Sequence, residues 1–264
     1  MGKKNSSLTR VRPLLNTLLQ RDDFLDALLW PFNTGLHISE PIECIYYEGQ
    51  DLTIMSGALN SAGCKRSEHE KALAPPRSLL ENLIKNPEKM LNPEALKKGG
   101  DKGIFEKRRQ LLDGDSATKD KALACLEKDQ DLTKKAWYIF EGSTCPDIYI
   151  ETKSYILVGE GKRTERKLTT TTTWLQKRDQ LIRHIDALLD REKTILSFFI
   201  VDRNISQKYG YDETLKKFRN IAYFQESLPH RSEKLVKRAM NSYIGHAYWQ
   251  DYEERYGISF PDTL

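Results

Sequence analysis

The sequence predicts an α/β fold whose core has the order strand, strand, strand, helix, strand, with helical segments on either side. Three short runs of aromatic and β-branched residues, at 137–140, 148–151 and 155–158, are bounded by turn residues, as strands are. Apolar residues recur at helical spacing between Trp174 and Asp190. The stretch from Thr194 to Val201 is almost continuously apolar, which is typical of a strand buried on both faces.

The composition is that of a charge-rich globular protein. Of the 264 residues, 39% are hydrophobic and 30% are charged, and no stretch approaches the ~20 apolar residues that a membrane helix needs. The four cysteines show neither CxxC pairing nor metal-ligand spacing with the histidines, as expected of reduced thiols. We therefore expect a cytoplasmic protein with no membrane partner.

One elaborated domain, 1–264, accounts for this length. We divide it into a mostly helical N-terminal elaboration (1–115), a core (116–205) and a C-terminal helical extension (206–264).

Elements outside the core are predicted to be mainly helical. The leucine spacing across residues 8–32 fits one or two amphipathic helices. The other predicted helices are separated by Pro-, Gly- or Asp-containing turns: 78–84, 103–112, 117–128, 212–225 and 232–255. One of the two helices between residues 103 and 128 is expected to pack on the sheet. Aromatic and β-branched residues between Glu40 and Ile54 favour an added hairpin.

Two acids face each other if the second and third strands form a hairpin that turns near Lys153. Residues whose numbers sum to about 307 then lie opposite each other, which places Asp147 beside Glu160. Lys162 points to the same face as Glu160 because side chains alternate along a strand. Three charges among apolar strands are expensive to bury unless they are paired or bind a metal. Facing carboxylates are ligands that Mg²⁺ uses, so the cluster predicts a functional site.

These residues resemble the PD-(D/E)XK nuclease superfamily. Pro146-Asp147 opens one strand, Glu160-Gly161-Lys162 ends the next, and the resemblance covers residues 137–202. It implies a restriction-endonuclease-like core, which is a central mixed sheet of about four strands flanked by helices. It also implies a Mg²⁺- or Mn²⁺-dependent nuclease that hydrolyses phosphodiester bonds of nucleic acid, with DNA as the expected substrate.

The resemblance also assigns roles to the site residues. Asp147, Glu160 and the carbonyl of Gly161 would hold the metal ion. Lys162 would serve the attacking water or the charge that develops on the phosphate. The superfamily often adds an acid from a preceding helix; the candidates here are Glu81, Glu106 and Glu127, between which the sequence does not choose.

Candidate substrate contacts combine positive charge with hydrogen-bonding groups: Arg163, Thr173, Lys177, Gln180 and His184. Arg163 begins a basic cluster that can neutralise phosphates, and Thr173 ends a threonine run whose hydroxyls can bind phosphate oxygens. Gln180 and His184 are four residues apart at the edge of the apolar arc of the predicted helix, with Lys177 adjacent. The alternative for each is an ordinary surface residue.

The same residues allow two other functions. A non-catalytic module of the same fold would bind nucleic acid or a partner protein without cutting it. A helical scaffold would use the sheet only structurally, with Lys162 in an ion pair. A second acid-x-Lys triplet, Glu151-Thr152-Lys153, lies on the same strand as Asp147 and is interpreted as exposed turn charges. A homodimer is expected if both strands of a duplex are cut, because two cuts need two active sites.

Overall fold

The centre of the molecule is a mixed five-stranded sheet in the order β1-β2-β3-β4-β5. The computed structural model describes residues 7–47, 71–89, 102–134, 136–170, 172 and 177–262. The strands are β1 (Ile42–Tyr47), β2 (Ile148–Thr152), β3 (Tyr155–Lys162), β4 (Thr194–Val201) and β5 (Tyr243–Tyr248). β2 pairs antiparallel with both β1 and β3, whereas β4 pairs parallel with both β3 and β5.

Helices cover both faces of this sheet. In chain order they are α1 (Arg12–Leu18), α2 (Phe24–Leu29), α3 (Arg77–Lys85), α4 (Lys102–Leu112), α5 (Ser116–Lys128), α6 (Gln180–Asp186), α7 (Arg203–Tyr209), α8 (Tyr211–Lys217), α9 (Ile221–Ser227), α10 (Glu233–Ser242) and α11 (Trp249–Tyr256). A π-helical turn, Ser7–Val11, precedes α1. Among the described residues, no helix has the length and hydropathy that crossing a bilayer requires.

Each sheet face contributes to its own hydrophobic core. Side chains such as Ile150 and Phe198 pack with α1, α2 and α11. Side chains on the other face, such as Val158 and Phe199, pack with α6, α8, α9 and α10. The residues of β2, β3 and β4 are almost all buried, because both faces of these strands are covered. The fold is therefore a mixed α/β arrangement of three layers, and its five strands exceed the four that we predicted.

Residues 137–140 do not form the predicted strand. Their side chains are buried against α3, α4 and α5, in a core cluster that contains no residue of the five strands. The Arg108 guanidinium binds the carbonyls of Trp137 and Ile139 at 2.8 and 3.0 Å, so these acceptors are satisfied by a side chain. The expectation that α4 or α5 packs on the sheet is also wrong, because both helices belong to this cluster and not to the cores on the sheet faces. These helices bury their apolar faces against each other and against this segment.

β1 takes the position beside β2 that we expected of residues 137–140. It is the first half of the predicted 40–54 hairpin; the second half lies outside the described residues. β1 belongs to segment 1–115 and β5 to segment 206–264, so the sheet draws on all three predicted segments.

The predicted helix at 232–255 is wrong in its middle, where β5 lies between α10 and α11. Side chains of β5 alternate between buried and partly exposed, as in a strand. Gly245 has a φ of +127°, which a helix does not tolerate and which glycine adopts readily. The predicted helix at 212–225 is likewise divided into α8 and α9.

The helix between β3 and β4 is shorter than predicted. α6 begins at Gln180, where the Asp179 side chain caps it by accepting a hydrogen bond from the Leu181 backbone at 2.9 Å. Residues 173–176 lie outside the described residues, and Lys177 is in a turn. The predicted bounds of β4 are confirmed, and β3 extends to Lys162.

Candidate active site

The predicted strand register is confirmed. Ile148 of β2 pairs with Gly159 of β3, so Asp147, one residue before, lies across from Glu160, one residue after. Asp147 is partly exposed, and its Oδ2 accepts a hydrogen bond from the Gly161 backbone N–H at 2.9 Å. The turn at residues 153–154 thus brings Asp147 opposite Glu160 at one end of the sheet, where the two carboxylates interact electrostatically.

Glu160 is fully buried, and both of its carboxylate oxygens have partners. Oε2 accepts a hydrogen bond from the Lys162 ammonium at 2.8 Å, and Oε1 lies 2.7 Å from His184 Nε2. Lys162 is nine-tenths buried. Glu160 and Lys162 share the sheet face that α6 covers, as the alternation of side chains along β3 predicts.

The two acids respond in opposite ways to burial. Burial and the charge of Glu160 raise the pKa of Asp147 to about 7, against the opposing effect of Lys162. Burial acts on Glu160 in the same direction, but Lys162 and His184 outweigh it and lower the pKa of Glu160 to about 2. The pKa of Lys162 is raised, because the charges of Glu160 and Asp147 outweigh burial. At neutral pH Glu160 and Lys162 are therefore charged, and Asp147 is poised between its two protonation states.

His184 connects the acid pair to the rest of the fold. Its side chain is fully buried, and Nδ1 lies 3.0 Å from the Thr144 hydroxyl. A neutral imidazole that donates from Nε2 to Glu160 accepts at Nδ1, which suits the hydroxyl donor of Thr144. Thr144 in turn exchanges two backbone hydrogen bonds with Leu73, at 2.8 and 2.9 Å. The predicted contact residue His184 is thus at the site, but it contacts Glu160.

Gln180 is also at the site. Its Oε1 lies 3.5 Å from Lys162 Nζ and accepts a hydrogen bond from the Thr170 hydroxyl at 3.3 Å. The Gln180 backbone N–H donates to Thr169 Oγ1 at 3.2 Å, which joins the threonine run to the start of α6.

The other predicted substrate contacts do not join this group. Arg163 follows Lys162, so the strand alternation turns it to the opposite face. There its buried guanidinium binds Thr9 Oγ1 at 2.9 Å and the Asp262 carbonyl at 2.7 Å. Lys177 is exposed and forms an ion pair with Glu226 at 2.6 Å. Thr173 lies outside the described residues.

Packing on the far side of the sheet leaves little room for a side chain at Gly161. A Cβ at this position would lie 3.0 Å from the side chains of Trp249 and Val11, and a Cβ at Gly159 would overlap the Phe198 ring. The core on the opposite face accounts for the glycine, and its carbonyl stays a predicted ligand.

Glu151 is not the exposed turn charge that we predicted. It is buried at the far end of β2, where it accepts hydrogen bonds from the Tyr149 hydroxyl at 2.5 Å and the Arg191 guanidinium at 3.1 Å. Lys193 Nζ lies 2.7 Å away. Burial opposes ionisation, but Lys193, Tyr149 and Arg191 outweigh it and lower the pKa of Glu151 to about 2. Lys153 is exposed, as predicted.

The helix acids that we considered as a further ligand belong to the helical cluster around α3, α4 and α5. Glu81 is paired with Lys85 at 3.7 Å and Glu106 with Arg109 at 2.7 Å, while Glu127 is exposed. Sequence analysis missed a buried ion cluster beside α6, in which Arg178 binds Glu141 at 2.6 Å and Asp186 at 2.7 Å. The sequence did contain a signal for this cluster: Asp186 lies at helical spacing on the apolar arc of α6, where an acid is buried and needs a cationic partner.

The donor set fits a hard divalent cation. Asp147, Glu160 and the Gly161 carbonyl supply only oxygen atoms, which Mg²⁺ and Mn²⁺ prefer. Burial, and after it the charge of Glu160, raises the pKa of Asp147, and a bound cation would oppose both effects. In the part of the chain that the structure describes, no group of three His, Cys, Asp or Glu side chains is arranged to hold a metal. A cation here would therefore depend on two side chains and a backbone oxygen.

Comparisons with protein-family models, with curated proteins and with solved structures found no match to this chain. Membership of the PD-(D/E)XK superfamily therefore stays a prediction that rests on the site residues.

Proposed function

We propose that this protein is a metal-dependent nuclease that hydrolyses phosphodiester bonds of DNA. The observation that carries the proposal is the placement of Asp147 across from Glu160, with Lys162 on the face of Glu160. Burial and repulsion by the ionised Glu160 raise the pKa of Asp147, and perturbed pKa values of this kind are common at functional sites. Mg²⁺ or Mn²⁺ held by these acids and the Gly161 carbonyl would relieve that repulsion.

The bound ion would polarise the scissile phosphate and lower the pKa of a bound water. Lys162 donates hydrogen bonds from a charged ammonium, because the two acids keep its pKa raised. A charged lysine is no base, so this supports a role in stabilising negative charge that develops on the phosphate. Gln180, 3.5 Å from Lys162 Nζ, helps to orient the ammonium.

Basic residues next to the site provide contacts for the nucleic-acid backbone. Arg166 and Lys167 are exposed and follow β3 directly, unlike Arg163, which is buried. Exposed cations of this kind bind phosphates without reading the base sequence. We therefore propose that Arg166 and Lys167, rather than Arg163, contact the phosphates. A homodimer that cuts both strands of a duplex stays a prediction.

A non-catalytic binding module is the second candidate function, and one observation favours it. Both oxygens of Glu160 already have partners in His184 and Lys162, so this carboxylate is satisfied without a cation. A protein of this kind would bind nucleic acid through Arg166 and Lys167 and leave the phosphodiester bonds intact.

Cleavage assays separate the two functions. Supercoiled plasmid and labelled oligonucleotides, single- and double-stranded, are incubated with Mg²⁺, Mn²⁺ or EDTA. Wild type is expected to cut only with metal, and Asp147→Ala and Lys162→Ala are expected to lose about 100-fold or more in rate. The matched control is Lys153→Ala, from the second acid-x-Lys triplet, which should cut like wild type. Cutting that persists in both site variants contradicts the proposal, and binding without cutting selects the module.

A further inference from the structure

A groove separate from the candidate active site lies at the β5 edge of the sheet, beside α8. It has a volume of about 340 Å³ and is lined by Asp212, Leu215, Lys216, Arg219, Tyr243, His246 and Tyr248. These residues combine opposite charges, aromatic rings and one aliphatic side chain. The proposed nuclease function uses none of them.

The two ends of the groove carry opposite charges. Asp212 lies in the first turn of α8 and Arg219 lies two residues after its end, and both are exposed. Within the described residues, neither side chain has a hydrogen-bond or ion-pair partner. Lys216 differs, since it is paired with Glu213 at 2.7 Å. The groove thus presents a guanidinium and a carboxylate that make no hydrogen bond or ion pair with the described residues, although the charge of Asp212 also acts on Lys216.

The strand that forms the wall of this groove is irregular. The β4–β5 register shifts at Ser197/Phe198, and Gly245 adopts a φ of +127° that other residues rarely tolerate. A Cβ at position 245 would lie 3.7 Å from the Arg219 guanidinium. The Tyr243 hydroxyl is buried and has no hydrogen-bond partner among the described residues. Buried hydroxyls are rarely left without a partner, so an orphaned one in a groove wall calls for an explanation.

The groove and the acid pair belong to one row of the sheet. Glu160 pairs with Phe199, and Phe199 pairs with His246, so the three residues are in register on adjacent strands. Two strand spacings separate His246 from Glu160, which is about 10 Å. Burial lowers the pKa of His246, so its neutral ring has one hydrogen-bond donor and one acceptor at pH 7.

We propose that this groove binds a nucleotide, with the phosphate on Arg219 and the base between Tyr248 and Asp212. The guanidinium provides a bidentate site for phosphate oxygens. The Arg203 guanidinium lies 5.2 Å from the centroid of the Tyr248 ring, so a base would stack on the ring surface that Arg203 leaves, and the Asp212 carboxylate would accept hydrogen bonds from base amino or imino groups. A free nucleoside monophosphate and a nucleotide within a strand share this chemistry. The proposal depends on neither metal nor cleavage.

Calorimetric titration of the full chain in EDTA tests this site. The probes are deoxyadenosine 5′-monophosphate, deoxyadenosine, inorganic phosphate and a short single-stranded oligonucleotide. Arg219→Gln is expected to weaken binding of the monophosphate about 10-fold or more, as expected for a lost charge-assisted contact. Lys217→Gln is the matched control. Lys217 is an exposed residue of α8 outside the groove lining, and this substitution also removes one positive charge. It should bind like wild type.

The comparison of probes decides the ligand. The monophosphate is expected to bind more tightly than both phosphate and the nucleoside, and Asp212→Asn should weaken the monophosphate without affecting phosphate. If Arg219→Gln weakens binding of the oligonucleotide but not of the monophosphate, the groove binds a nucleotide within a nucleic-acid strand rather than a free nucleotide. Shifts of the His246 ring resonances on titration of wild type locate the ligand without any substitution. Equal affinity for phosphate and monophosphate, equal effects of Arg219→Gln and Lys217→Gln, or unshifted His246 resonances would overturn the proposal.

Discussion

Neutralising Asp147 is expected to stabilise the metal-free protein, which is the opposite of what most substitutions of buried polar groups do. Its pKa rises from an ordinary 3.8 to about 7 in the folded chain. A raised folded-state pKa means that the folded protein retains a proton that the unfolded chain releases. Ionised Asp147 therefore lowers the free energy of unfolding. This destabilisation is absent below about pH 4, grows as the pH rises through neutrality and is complete above about pH 7.

The size of this effect follows from the pKa shift. A shift of about 3 units corresponds to an upper limit of about 4 kcal/mol. Asp147 is partly exposed, so solvent screening reduces the expected gain to about 1–2 kcal/mol. Asn at this position keeps an oxygen that accepts from the Gly161 N–H. We expect Asp147→Asn to raise the free energy of unfolding by that amount at pH 8 and to have no effect at pH 4.

Glu160→Gln is expected to act in the opposite direction. The folded-state pKa of Glu160 is lowered to about 2, so its contribution to stability is present above its ordinary pKa and is lost as the pH falls towards 2. Removing the charge leaves Lys162 and His184 without their carboxylate partner. We expect a loss of about 2–4 kcal/mol at pH 8. Two facing acids would then have opposite effects on stability.

Urea denaturation in EDTA between pH 4 and pH 8 measures both effects. The control is Asp120→Asn, an exposed aspartate on α5, which should change stability by less than about 0.5 kcal/mol at any pH in this range. Adding Mg²⁺ at pH 8 should raise the unfolding free energy of wild type but leave Asp147→Asn unchanged. A loss of stability in Asp147→Asn at pH 8, or a gain that is as large at pH 4, would refute the electrostatic argument.

Three further substitutions test the contacts around the site. Gly159→Ala places a Cβ against the Phe198 ring and should lower the free energy of unfolding by about 1–3 kcal/mol in urea, whereas Gly142→Ala, in open space, should not. Arg178→Met removes the buried cation that pairs with both Glu141 and Asp186 and should cost about 3–5 kcal/mol in the same measurement, although Asp186 keeps its contact with Arg231 at 2.7 Å. His184→Ala removes the partner of Glu160 Oε1 and should weaken Mn²⁺ binding, measured by electron paramagnetic resonance, by about 10-fold or more.

Local patterns predicted the acid pair because the geometry that creates it is local. A short turn at residues 153–154 sets the register of β2 and β3, and the two-residue period of a strand sets the shared face of Glu160 and Lys162. The same period should have placed Arg163 on the opposite face, where its guanidinium binds Thr9. The error came from treating neighbouring basic residues as one cluster, without regard to strand alternation.

The errors in the sheet have a different physical origin. Residues 137–140 and β5 are both rich in aromatic side chains, and such composition predicts burial without specifying what covers the residues. For 137–140, the deciding contact is the guanidinium of Arg108, which is remote in sequence and occupies the backbone carbonyls. For β5, the deciding contact is parallel pairing with β4, which no local turn can signal. Non-local partners determined both outcomes.

The electrostatics of the acid pair differ from those of the structural ion clusters in the same fold. At the far end of β2, cationic and hydroxyl partners lower the pKa of Glu151 to about 2, and beside α6 the charges of Arg178, His230 and Arg231 outweigh burial and lower the pKa of Asp186. In both clusters the folded protein satisfies its own carboxylates. Asp147 differs from these acids, since burial and the charge of Glu160 raise its pKa to about 7 although its Oδ2 accepts a hydrogen bond from the Gly161 N–H. Under the proposed function, a cation bound beside Glu160 would favour the ionised form of Asp147, which burial and the charge of Glu160 oppose in the metal-free fold.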